Sequence, residues 1–122
     1  MNNYTKSKLR KDVEFSYTDD EKVEILISPG YGAGWSTWVY NDDALNIAVD
    51  KRIIDFFKEK GKTASIDEVK EFLESLGYKD IYCGGWRDIT IEKIPRNCMF
   101  RIDEYDGFES LEFCNDIDWF EL

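Results

Sequence analysis

The chain has 122 residues, 26 acids against 16 bases and no histidine, giving a net charge of −10. That length suits one domain spanning residues 1–122, and an aromatic fraction of 16% supplies side chains large enough to fill its core without disulfides. The missing histidine excludes a Ser-His or Cys-His nucleophile, and the acidic balance argues against direct contact with a nucleic-acid backbone, which needs clustered cations.

Neither a basic, apolar leader nor a long apolar run is present, so no signal peptide and no membrane span are expected. Cys83, Cys98 and Cys114 are odd in number and widely spaced, unlike a disulfide framework or a zinc site. Reduced thiols in a cytosol are the expectation, with no metal and no cofactor.

Residues 1–11 are polar and basic and are expected to fray. Val13, Phe15 and Tyr17 alternate with polar residues and predict a short first strand; Val23 to Ile27 predicts a second, with Thr18 to Glu21 as the turn between them. Ser28 to Thr37 follows as a loop rich in glycine and aromatics. Leu45, Ala48, Val49, Ile53 and Phe56 then mark a helix capped at Asn41 or Asp42 and stopped by Gly61. Ser65 and Glu68 form a capping box ahead of a second helix whose apolar face is Ile66, Val69, Phe72, Leu73 and Leu76, with Gly77 as its stop.

Strand patterns return at Lys79 to Cys83 and at Ile89 to Ile94. Asp106-Gly107 is the preferred pair for a type I′ hairpin turn. It sets Tyr105 opposite Phe108, Glu104 opposite Glu109, Ile102 opposite Leu111, Arg101 opposite Glu112 and Phe100 opposite Phe113. The order is ββααβββ: an α+β domain with two consecutive helices on one face of a mainly antiparallel sheet.

Two segments carry candidate chemistry. In the loop, glycines at alternate positions are interleaved with Tyr31, Trp35 and Trp38. It lacks the Walker and dinucleotide spacings, and Asp42 and Asp43 ahead would repel an anion. As an aromatic platform it could stack a planar ligand, with Trp86 closing from the Cys83-Gly84-Gly85 turn and Arg87 and Arg101 as cations for a phosphate. The competing reading is that the glycines make room for tryptophans in the core. The hairpin is dense in carboxylates, and Glu104 faces Glu109. An exposed tip, where water screens both charges, is expected in place of a metal or a carboxylate-pair hydrolase. No catalytic residue is assigned.

Ile27 to Trp38 (ISPGYGAGWSTW) and Phe100 to Ser110 (FRIDEYDGFES), with the Tyr82-x-Gly-Gly turn between, resemble a family of small phage and prophage proteins of uncharacterised activity. The resemblance implies a phage accessory protein acting in the host bacterial cytoplasm, with counter-defence as one role. Two mechanisms stay open within it, beside a structural or assembly role with no ligand. One is a sponge that sequesters a nucleotide-type small molecule through Tyr31, Trp35, Trp38, Trp86, Arg87 and Arg101. The other is a protein-binding inhibitor whose acidic surface occupies a basic channel on a host nucleic-acid-handling enzyme. The last segment, where Asp103 to Leu122 holds eight acids and neither Lys nor Arg, suits the second, beside the alternative of a solvated acidic surface that keeps the protein soluble. The sponge is set first because the resemblance lies in the loop and the Arg-bearing hairpin.

Overall fold

The computed structural model describes residues 9–96 and 98–114. In chain order the elements are β1 (Ser16–Tyr17), β2 (Lys22–Ile27), α1 (Ala44–Val49), α2 (Lys51–Lys60), α3 (Ile66–Ser75), β3 (Thr90–Pro95), β4 (Met99–Tyr105) and β5 (Phe108–Cys114). Short 3-10 turns occupy Ser36–Trp38, Gly61–Thr63 and Gly84–Asp88. The fold is α+β, with every strand pairing antiparallel. No helix among the described residues is long and apolar enough to cross a membrane.

The strands form two sheets, β1-β2-β3 and the β4-β5 hairpin. β2 is the middle strand and is buried from Val23 to Ile27. Its alternation divides the core. Leu26 joins Ile53, Ile54, Val69, Leu73, Tyr78 and two tryptophans on the helical side. Val23, Ile25 and Ile27 join Val13, Ile94 and the hairpin's Ile102 on the other. The hairpin therefore packs over the sheet as its own ladder. It meets the end of β2 where the Glu109 N–H donates to the Ser28 carbonyl at 2.8 Å.

The single helix expected from its cap at Asn41 or Asp42 to its stop at Gly61 is broken at Asp50. The apolar stripe reads through the break, so periodicity alone hides it. Asp50 is extended, and its carboxylate accepts the Arg52 N–H at 2.9 Å, capping a new helix. With no exposed surface, that carboxylate also takes the Arg52 guanidinium and the Tyr78 hydroxyl at 2.8 and 2.7 Å. Arg52 and Tyr78 both have raised pKa values, Arg52 through its hydrogen bond to Asp50 and Tyr78 through burial first and that same carboxylate second. The Ser65–Glu68 capping box forms as its spacing predicts.

Residues 79–83 form no strand, because Asp80 takes a positive φ of 60° that interrupts extended pairing. Of the segment expected to fray, residues 1–8 lie outside the described residues. Arg10 is anchored: its guanidinium donates to Asp43 at 2.7 Å and to the Gly77 carbonyl at 3.1 Å, and it lies 4.3 Å from the Tyr78 ring. It thus ties the start of the domain to the end of α3.

The hairpin has the register its turn dipeptide predicts, pair for pair from Phe100–Phe113 to Tyr105–Phe108. Asp106 and Gly107 both take positive φ, 51° and 85°. Gly107 also lies against the backbone of Gly32 and Ala33, where a Cβ would collide with the Ala33 nitrogen. Gly107→Ala should therefore lose more than the ~1 kcal/mol of a strained turn position. Urea unfolding against the milder Asp106→Ala measures the excess, which belongs to the loop contact.

Candidate functional site

The loop 28–38 and the hairpin tip form one unit, and a residue the sequence reading set in water holds them together. Strand alternation places Glu109 on the same face as Leu111 and, across the ladder, Ile102. That face is buried at Ile102 and Glu109, and Glu109 has no exposed surface. Its Oε1 accepts the Ser28 N–H at 2.8 Å. Its Oε2 accepts the N–H groups of Trp35 and Thr37 at 2.6 and 3.1 Å and the Thr37 hydroxyl at 2.5 Å. A Gly-rich loop leaves such backbone donors without ladder partners, and one carboxylate gathers them.

The screened exposed tip is thus corrected, and so is the repulsion expected between Glu104 and Glu109. Glu104 turns to other donors, accepting the Gly107 N–H at 2.7 Å and the Trp38 indole N–H at 3.3 Å. Both acids satisfy backbone or indole donors instead of opposing one another. The signal was present in the sequence: a carboxylate on the apolar face of a predicted hairpin needs donors, and the Gly-rich loop is a source of them.

Burial pushes the Glu109 pKa above the usual carboxylate range, while the Thr37 hydroxyl and the three backbone donors pull it back in part. Glu24 is the instructive contrast. Burial raises it too, but Lys58 at 2.8 Å and the Ser16 hydroxyl at 2.6 Å outweigh that and leave it lowered. A full cation offsets desolvation where dipoles alone do so incompletely.

The six sequence-predicted ligand residues separate into three groups. Trp35 and Trp86 are core: neither has exposed surface, and their rings meet edge to face at 5.7 Å. The Trp35 indole donates to the Ile47 carbonyl at 2.9 Å and the Trp86 indole to the Gly61 carbonyl at 3.0 Å. They have no face to offer a ligand, because the glycines bring their backbones close enough for the rings to turn inward. Gly85 lies directly on the Gly34 carbonyl.

Arg101 is closed onto Glu112 at 2.6 Å, with Asp103 at 3.6 Å. Tyr31, Trp38 and Arg87 remain at the surface. Trp38 is half-buried against Tyr82 at 5.5 Å, and Arg87 is exposed in the Gly84–Asp88 turn. Tyr31 is 68% exposed and leans on Phe108 at 4.9 Å. Across the ladder from Phe108, Tyr105 is 77% exposed.

What the unit offers is therefore a set of exposed tyrosines beside Phe108, on a loop and hairpin joined beneath by Glu109. Among the described residues, no three His, Cys, Asp or Glu side chains gather as metal ligands. No family model matches the chain, and no curated protein or solved structure does. Function is therefore read from the site itself.

Trp35→Ala and Trp86→Ala should each lose about 3–5 kcal/mol of stability as core cavities, seen as a fall in the urea midpoint. Glu109→Ala should leave buried N–H groups unpaired, at about 1–3 kcal/mol for each. Because folding raises the Glu109 pKa, its favourable linkage is complete below the unfolded value and is lost as pH rises through the folded one. Stability of the wild type relative to Glu109→Gln should decline across that window, measured by urea unfolding at a series of pH values.

Proposed function

We propose that the chain is a non-catalytic accessory protein that binds a basic surface on a partner protein through its loop–hairpin tip, and inhibits that partner by occupying the surface. One observation carries this reading: two tyrosines are exposed together at the tip, beside Phe108. Trp35 and Trp86 are internal, whereas Tyr31 and Tyr105 stand in solvent on a rigid backbone with Phe108 between them. Tyrosine on an ordered backbone supplies contact area at little entropic cost, which suits a protein interface. A net charge of −10 favours a basic partner and speeds its encounter.

The resemblance to phage and prophage proteins supports a setting in the host bacterial cytoplasm, with a nucleic-acid-handling enzyme as the class of target. Such an enzyme carries the basic channel that an acidic protein can fill. The nucleotide sponge loses support, since it needs two tryptophans that are buried and an arginine already paired with Glu112.

Photo-crosslinking from a benzoylphenylalanine placed at position 105, in host cells, tests the reading. A covalent adduct with a protein bearing a basic surface is expected, lost when Tyr31 is also changed to Ala. Absence of any protein adduct, together with saturable nucleotide binding by calorimetry, would return the sponge.

A further inference from the structure

Tyr31 sits between two glycines, one packed against the side chain of an aspartate and the other hydrogen-bonded to the backbone of a second. Asp88, closing the Gly84–Asp88 turn, packs so near Gly30 that a Cβ there would collide with its carboxyl carbon. On the other side the Asp106 carbonyl accepts the Gly32 N–H at 2.8 Å. Both aspartates are exposed, and among the described residues neither carboxylate is in an ion pair. The other two acids near the turn, Glu104 and Glu109, are committed to N–H donors. The exposed ring, backed by Phe108, thus follows a glycine on which the Asp88 carboxyl packs and precedes one bound by the backbone of Asp106, and residues 28–38 bring no charge of their own.

We propose that Tyr31, Asp88 and Asp106 receive an arginine side chain of the partner protein, an assignment that rests on the binding reading above and names its chemistry. A guanidinium is planar and weakly hydrated. It can lie on the Tyr31 face while its N–H fork reaches the exposed carboxylates of the neighbouring turns. A lysine ammonium is a compact, strongly hydrated point charge and uses the ring face less well. A nucleotide could stack on the same ring, but its phosphate would meet the two aspartates and be repelled. The elements that place these groups are rigid: Gly32 is tied to the hairpin turn, and the loop behind it is pinned by Glu109.

The test is an NMR titration of the full chain with an Arg-Gly repeat peptide, beside a Lys-Gly peptide of equal length and adenosine monophosphate. Saturable shifts centred on the amides of Tyr31, Gly32 and Phe108 are expected, with the Arg peptide binding several-fold more tightly than the Lys peptide. Tyr31→Ala, or Asp88→Asn with Asp106→Asn, should each weaken it about tenfold or more while the melting temperature holds. Arg87→Ala should leave it unweakened.

Equal affinity for Arg and Lys peptides would overturn the assignment. So would shifts centred on the acidic exposed side of α3 at Asp67, Glu68, Glu71 and Glu74, or no saturable shift at Tyr31. The crosslinking experiment separates the two levels. A protein partner captured from position 105 without Arg-Gly binding removes the arginine site and leaves the protein-binding reading standing.

Discussion

The Glu109 carboxylate is the constraint on which the rest of the surface depends. A loop with glycines at three alternate positions has little side-chain bulk to fix it and no strand to pair its backbone. One buried anion accepting from Ser28, Trp35 and Thr37 replaces a ladder, converging four donors on two oxygens. The choice of an anion matters. An amide side chain has one acceptor oxygen, and its NH2 group would confront donors; a carboxylate accepts on both sides. Desolvation is the cost, visible as the raised pKa, and tight packing of loop on hairpin excludes the water that would relieve it.

Three acids are buried among the described residues, and each does the same kind of work with different partners. Asp50 has Arg52 and the Tyr78 hydroxyl and sets the break between α1 and α2. Glu24, buried in the middle strand, reaches Lys58 on α2 and so ties the sheet to the helical layer. Glu109 has no cation and ties the loop to the hairpin. Removing one partner from any of these leaves a buried charge or buried donors uncompensated, which costs more than the bond was worth in water. The acids join layers that the apolar residues fill, and their positions decide which loops are rigid.

Much of the fold was legible in the sequence where a local rule has a geometric consequence. Asp106-Gly107 fixed a register that holds at each pair, and Ser65 with Glu68 marked the start of α3. The break at Asp50 was not legible, because Ile47, Ile53 and Ile54 keep helical spacing across it and only the burial of one aspartate reveals a cap. The candidate site was half legible. Alternation on β4 and β5 puts Glu104 and Glu109 on the Ile102 face, yet facing carboxylates read as repulsion until the loop's donors are seen beside them. The tryptophans could not be assigned at all. Glycines that let a backbone approach a ligand also let it approach another backbone, and here Gly85 meets Gly34 and Gly107 meets Ala33.

That same packing explains why Tyr31 stays outside. Trp35 turns inward, its N–H held by the carboxylate and its indole by Ile47, and this fixes the direction of the chain on either side. Tyr31 lies before that anchor, between glycines braced by the Gly84–Asp88 turn and the hairpin turn, and leans on the tilted ring of Phe108. Its hydroxyl tolerates water, so exposure costs less than it would for a phenylalanine there. The consequence is preorganisation. A partner that meets the tip does not have to order the loop, because Glu109 has already done so, and the entropy that recognition by a mobile loop would lose on binding is lost instead when the chain folds.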